Sequence, residues 1–468
     1  MGERDSGRAV ICLNRKRVAG RNLTTASGPG INKVGMPDRP PSKAAAAFLS
    51  SDFRRYQLAR VMAIIGAEAQ SLAVAWQVYQ MTHKPIDLGY TGLALFLPGL
   101  LFILPSGHAA DRFDRRHVIM VCYSLQCVCT LTLFLFAWHG LHTVWPIYTV
   151  LFFIGTGRSF SGPASSALIP HLVPTEHFVN AVTWGATIFQ IANISGPALG
   201  GILFTLPMHE RIAGAPLVYL FTLCTLIWFV VLVGSLSVRP GRMEHRAIST
   251  DVILAGFRYV ARTPILLGSI SLDLFAVLLG GAMSLMPIFA QDILQAGPRG
   301  LGLLRAAPAI GALVISFSLT WWPIRRRAGL LMFTCVGIFG ASTIVFGLSK
   351  SLPLSIMALL VVGASDMVSV VIRSSVLQLG TPPEMRGRVS AVNSLFLGAS
   401  NELGEFESGL TAQWWGAVRA VVIGGIGSLV VTGLWSILFP SLRNADELTP
   451  EALLNVEVEQ SAQEVRQL

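Results

Sequence analysis

Nine ionisable side chains lie inside long apolar runs of this chain: Glu68, Arg158, Asp273, Arg305, Asp366, Arg373, Glu402, Glu405 and Glu407. A charge at the centre of a bilayer costs about 2.5 to 3.5 kcal/mol on insertion scales, so such residues face a bundle interior and serve a pathway or a partner. A carboxylate there can take up and release a proton. A guanidinium can hold an anion or neutralise a neighbouring acid.

Glu68 and Asp273 fall near the middle of their runs, and each reads as a proton carrier or as a neutral acid bonding a neighbouring helix. Arg158 is either a cation facing a cavity or half of a pair with Asp273 or Asp366. Asp366 and Arg373 are seven residues apart, share one helix face and are expected to neutralise each other. Glu402 and Glu405 either line a cavity with Asn401 and Ser408 or cap contacts with neighbouring helices, with Glu407 nearer the outer surface. Arg305 lies near the end of its run, where snorkelling of the head group to the interface accounts for it. Gln70, Gln77, Gln190 and Asn193 read as polar glue between helices. The sequence offers no nucleophile elbow, phosphate loop or metal-spaced histidine pair, so no enzyme, cofactor or metal is expected. All six cysteines but Cys12 lie in apolar runs and read as core residues.

The elements that position these groups follow from composition. The chain has 468 residues, 53% hydrophobic and 13% charged, with mean hydropathy +0.61. A soluble domain carries about 25% charge, so the composition points away from a soluble enzyme and to a membrane protein. A bilayer crossing needs about 20 mainly apolar residues. Twelve such runs are expected near 55–80, 87–109, 117–138, 144–168, 178–206, 215–237, 264–290, 300–322, 329–348, 353–379, 389–412 and 416–439. The expected organisation is a disordered basic tail (1–50), a six-helix bundle (51–238), a central loop with an amphipathic helix (239–263), a second bundle (264–440) and an acidic tail (441–468).

Residues 1–55 hold 11 basic and 4 acidic side chains, and residues 441–468 hold 2 and 6. No signal-peptide run precedes the first span, and Met36 offers an alternative start. Arginines gather in the loops after the even-numbered spans, among them Arg112, Arg115, Arg116, Arg258, Arg262, Arg386 and Arg388. The positive-inside rule then places both termini in the cytosol of a cell with the protein in its cytoplasmic membrane. Attraction of a basic tail to anionic lipid accounts for the net charge of +10 without nucleic acid.

Sliding the chain on itself by 208 to 210 residues pairs Gly92 with Gly302, Pro98 with Pro308 and Arg115-Arg116 with Arg325-Arg326. The same slide pairs Pro174, Glu176, Gly196 and Gly201 with Pro382, Glu384, Gly404 and Gly409. A duplicated six-helix unit, its halves related by an axis along the membrane normal, is a plan of secondary transporters.

Between spans 2 and 3 stands Gly107-x3-Asp111-Arg112-x2-Arg115-Arg116, and span 5 carries Gly196-Pro197-x2-Gly200-Gly201. The first resembles the signature loop of the major facilitator superfamily, and the second resembles the element of its exporters. With Trp76-Gln-Val-Tyr79, Gly302-Leu-Leu-Arg305-Ala-Ala-Pro308, Arg386-Gly-Arg-Val-Ser-Ala-Val392 and Asn401-Glu-Leu-Gly-Glu-Phe-Glu407, residues 50–443 resemble that superfamily's transmembrane secretion effectors, which include enterobactin-exporter-like and macrolide-efflux-like permeases. The resemblance implies an all-α fold of two pseudo-symmetric bundles, a conformational latch at Gly107, Asp111, Arg112, Arg115 and Arg116, and a pliable export helix at Gly196, Pro197, Gly200 and Gly201. It also implies a transporter that exports a small molecule. Together with the intramembrane charges, the expectation is a monomer that exchanges its cargo for protons, with Glu68, Arg158, Asp273, Asp366, Glu402 and Glu405 as coupling or cavity residues. A lysophospholipid flippase, and a sensor or scaffold that transports nothing, are the competing expectations.

Overall fold

Proline in the first turn of a helix sacrifices no hydrogen bond, and Pro85, Pro146, Pro216, Pro264, Pro298 and Pro353 each open a helix of this chain. The computed structural model describes residues 46–206, 213–237, 250–322, 324, 326–382 and 384–446. Its first half contains α1 (Ser51–Thr82), α2 (Pro85–Leu101), α3 (Ile103–Arg112), α4 (Arg115–His139), α5 (Trp145–Leu168), α6 (Phe178–Phe204) and α7 (Ala215–Gly234). The helix α8 (Thr250–Arg262) leads into the second half. There follow α9 (Pro264–Leu279), α10 (Met286–Ile288) with a π turn (Phe289–Ile293), α11 (Gly297–Trp321), α12 (Ala328–Leu348), α13 (Leu352–Leu379), α14 (Arg386–Trp415), α15 (Ala417–Leu438) and α16 (Pro440–Arg443).

Helix occupies all twelve expected positions. Among the described residues eight helices, α1, α4, α6, α7, α11, α12, α13 and α15, are long and apolar enough to cross a membrane alone. The other positions depart from a simple span for visible reasons. Span 2 is divided at Phe102 into α2 and α3, α5 carries Arg158, and α14 carries three glutamates. Span 7 was expected to be continuous to 290 but is interrupted after Leu279. A Cβ on Gly281 would stand 2.7 Å from the Gly404 carbonyl oxygen and from Ser408 Oγ, so α14 crosses against bare backbone there.

In the first half α1 packs against α6 and α7, and α4 against α5 and α7. In the second α13 packs against α11 and α12, and α15 against α12 and α9. The halves meet along two lines, α6 on α11 and α2 on α14. We call the end where α1 begins and α15 finishes proximal, and the other end distal. At the distal end one apolar cluster spans both halves, joining Trp76, Tyr79 and Leu88 to Met286, Phe289, Leu301 and Ala412. At the proximal end the clusters are separate: Phe53, Tyr56, Ile119 and Phe229 in one half, Ile265, Met332, Val376 and Val389 in the other. Apolar side chains such as Val128, Trp228, Val314, Val430 and Ile437 are exposed on the outside, where lipid replaces water as the solvent.

The amphipathic helix of the central loop is α8, with Thr263 and Pro264 turning it 103° into α9. Gly256 brings it onto the backbone of Arg388 in α14. The rest of that loop, most of both tails and Arg325 of the repeat lie outside the described residues.

Candidate functional site

Between the halves lies a cavity of about 250 Å3 lined by Glu68 and Ser71 of α1, Arg158 of α5, Asn193 and Pro197 of α6, Arg305 and Pro308 of α11, and Glu405 of α14. A second cavity of about 410 Å3 shares Met283, Pro308 and Glu405 with it, and adds Asp366, Asn401 and Glu402. Residues far apart in sequence thus converge on two adjoining lobes with a shared wall, with guanidinium and carboxylate groups from both halves.

Glycines make room for two of these carboxylates. A Cβ on Gly196 would lie 2.5 Å from Glu68 Cβ, and one on Gly92 would lie 2.8 Å from Glu405 Oε2. Arg305 Nη1 donates to Ser71 Oγ at 3.1 Å across the halves. Snorkelling therefore does not account for Arg305, which turns inward; its repeat partner Leu95 lines the same cavity. The missed signal was its phase, three residues after Gly302, the residue that touches the opposite half. Among the described residues Arg158 has no ion pair and is exposed within the cavity, so it is paired with neither Asp273 nor Asp366.

Asp273 and Arg373 correct a second expectation. They form an ion pair with each other, both buried between α9 and α13, so Arg373 does not neutralise Asp366. Glu407 is half-buried and lines neither cavity. Two of the amides hold helices within the first half: Gln70 accepts from Thr130 at 2.9 Å and Gln77 from Tyr219 at 2.7 Å. Gln190 instead bridges the halves, donating to the Ala309 carbonyl at 2.9 Å.

Distal to the cavity the halves touch through backbone. A Cβ on Gly201 would lie 2.6 Å from the Pro298 carbonyl, one on Gly302 2.7 Å from the Pro197 carbonyl, and one on Gly409 3.0 Å from Gly89 N. The repeat pairs Gly201 with Gly409, so both lines of contact use equivalent positions. Gly200 packs on Ala69 of α1, so the Gly200-Gly201 pair holds α6 closely on two sides. Tyr79 donates to Asp292 across the seam, and Arg299 Nε donates to Thr205 Oγ1 at 2.6 Å.

At the proximal end a groove of about 460 Å3 separates Phe96, Gly99 and Gly107 from Ala391, Ser394 and Gly398 of α14. Arg115 and Arg116, at the end of the loop that begins at Gly107, bind within their own half here. Asp114 caps α4 by accepting from Arg116 N at 2.9 Å, and Arg116 donates to the carbonyls of Leu236 and Gly234. Arg115 donates to the Ala167 carbonyl at 3.1 Å and to His171 Nε2. Burial, and then the Arg115 charge, hold the His171 imidazole below its ordinary pKa. Arg112 is exposed, and the side chain of Asp111 lies outside the described residues.

The family model of the transmembrane secretion effectors matches residues 42–467. The enterobactin exporter EntS of Escherichia coli O1:K1 is 27% identical over 385 residues, covering 81% of this chain and 86% of that protein. Among solved structures, a bacterial homologue of the human lysosomal transporter Spinster, inward-facing and unoccupied, superposes with a TM-score of 0.66 at 15% identity, covering 89% of this chain and 99% of that one. A bacterial homologue of the iron transporter ferroportin, also inward-facing, superposes at 0.62 with 17% identity over 82% and 98%. A duplicated helical bundle closed around a charged cavity, matched along nearly its whole length, makes this chain a transmembrane secretion effector, a membrane transporter of the major facilitator fold.

Proposed function

We propose that the protein is a proton-coupled exporter of a polar small molecule that works as a monomer by alternating access. The observation that carries this reading is the cavity shared by the halves, where Glu68 and Glu405 face Arg158 and Arg305 between a closed distal seam and an open proximal groove. Charged linings on both sides suit a polar or ionised cargo better than a lipid chain.

The arginine-rich proximal loops favour a cytosolic proximal end, with both termini inside and the cavity facing the cytosol. Cargo would enter there and meet Arg158 and Arg305. The halves would then rock about the cavity, parting Gly201 from Gly302 while the Gly107 loop closes on α14. A proton taken by Glu68 or a span 11 glutamate from the outer side would favour return, because coupling requires each ligand to prefer one facing state. Asp273, Asp366 and Glu402 complete the set of coupling candidates.

The relative's name makes enterobactin the first cargo to test. Purified protein in liposomes with an imposed pH gradient should move it only while the gradient lasts, and Glu68→Gln should uncouple that movement. Movement indifferent to the gradient would overturn proton coupling.

A further inference from the structure

The second half holds a charge imbalance that its ion pair creates. Arg373 is paired with Asp273, and both residues are almost wholly inaccessible at 2% and 5% exposure. Asp366 shares α13 with Arg373 but lies two turns away, about 10 Å of helical rise, beyond the reach of a guanidinium already committed to α9. Among the described residues Asp366 has no ion pair.

Its position is the second observation. Asp366 borders the cavity of about 410 Å3 on one side and, on the other, a small void it shares with Asp273 and Ser369. Ser369, 2% exposed, faces that void with its hydroxyl unpartnered, and Arg373 Nε is likewise buried without a hydrogen-bond acceptor. Among the described residues the neighbouring helices bring no cation into an ion pair with Asp366. From α14, Glu402 and Glu405 share its cavity, from α9 comes Asp273, and α12 has no acidic or basic side chain. From α11, Arg305 is turned to Ser71 in the adjoining lobe.

We propose that Asp366 is a carboxylate of the second half that exchanges a proton with the central cavity, and that the Asp273–Arg373 pair is a positioning device that holds the guanidinium of the same helix away from it. This deepens the exporter reading above and rests on it. A charge without an ionic partner in a membrane-embedded cavity is costly, and a proton removes that charge. With the cavity open, Asp366 is reached by water and can give up its proton. With the cavity sealed, it is held protonated, so its charge follows the facing state. The void leads towards Ser369, whose hydroxyl can donate to the Asp366 carboxylate or accept from the protonated acid.

Infrared difference spectra of the full chain in lipid vesicles, recorded between acid and alkaline pH, read carboxyl protonation directly and need no cargo. Asp366→Asn and Asp366→Ser should each remove one component of the protonated-carboxyl band, and Asp366→Glu should restore it at a shifted frequency. The double variant Asp273→Asn/Arg373→Gln removes the pair without leaving an orphan charge, and should keep the Asp366 component. An unchanged spectrum in Asp366→Asn and Asp366→Ser, or loss of that component in the double variant, would overturn the proposal. Either result would leave the exporter reading standing if liposomes still couple transport to the gradient. Loss of coupling with the Asp366 component intact would sink the exporter reading alone.

Discussion

Asp273 and Arg373 set the energetics at the scale of single residues. Removing one member of a buried pair strands the other, so Arg373→Met is expected to cost about 3 to 5 kcal/mol, while Asp273→Asn/Arg373→Met should recover most of that loss. Thermal unfolding in detergent checks both, and equal destabilisation of single and double variants would contradict the pairing. His171 gives a pH dependence of known sign. It accepts from Arg115 only when Nε2 is unprotonated, and its pKa lies below the ordinary value in the folded protein. The unfolded chain binds that proton more readily, so the contribution is complete above the unfolded pKa and is lost as pH falls through the folded one. Stability should therefore rise with pH across the histidine range. His171→Gln, which accepts at every pH, should flatten that part of the profile of unfolding temperature against pH. Little of this was legible in the sequence. A spacing of seven placed Asp366 and Arg373 on one face, but a guanidinium chooses among acids by distance, and the partner lay a hundred residues away on α9.

Elements were far more legible than contacts, because a run of apolar residues interrupted by charge and proline announces a span whatever it packs against. The expected boundaries fall within a few residues of α1, α4, α7, α12, α13 and α15. Span 7 misled because its hydropathy is unbroken through Gly280 and Gly281, and the interruption arises from the approach of α14, a tertiary fact. Arg305 misled for the complementary reason: depth along a helix can be counted, whereas the direction of a side chain depends on which neighbour the helix meets. The glycine contacts give a test at this scale. Gly201→Val places methyl groups where the Pro298 carbonyl already sits, and overpacking costs about 1 to 3 kcal/mol. That cost falls on the closed distal seam alone. A cysteine placed at Ser71 should consequently react faster with a membrane-impermeant thiol reagent from the distal side in Gly201→Val than in the parent. An unchanged rate would show that α6 and α11 are not in contact in the dominant state.

For the whole molecule, the duplication visible in the spacing of glycines and prolines is also the mechanical plan. Equivalent positions of the two halves build equivalent contacts, Gly201 on α11 and Gly409 on α2. The seam has a thermodynamic consequence. At its glycine contacts the touching groups are main-chain atoms, which have no rotamers to freeze, whereas immobilising a long side chain forfeits up to about 2 kcal/mol of conformational entropy. Opening and resealing those contacts therefore costs less order than parting the side chains of the apolar cluster beside them. If the protein works by the alternating access proposed above, such contacts help its two facing states lie close in free energy, so that a ligand preferring one state shifts the population towards it.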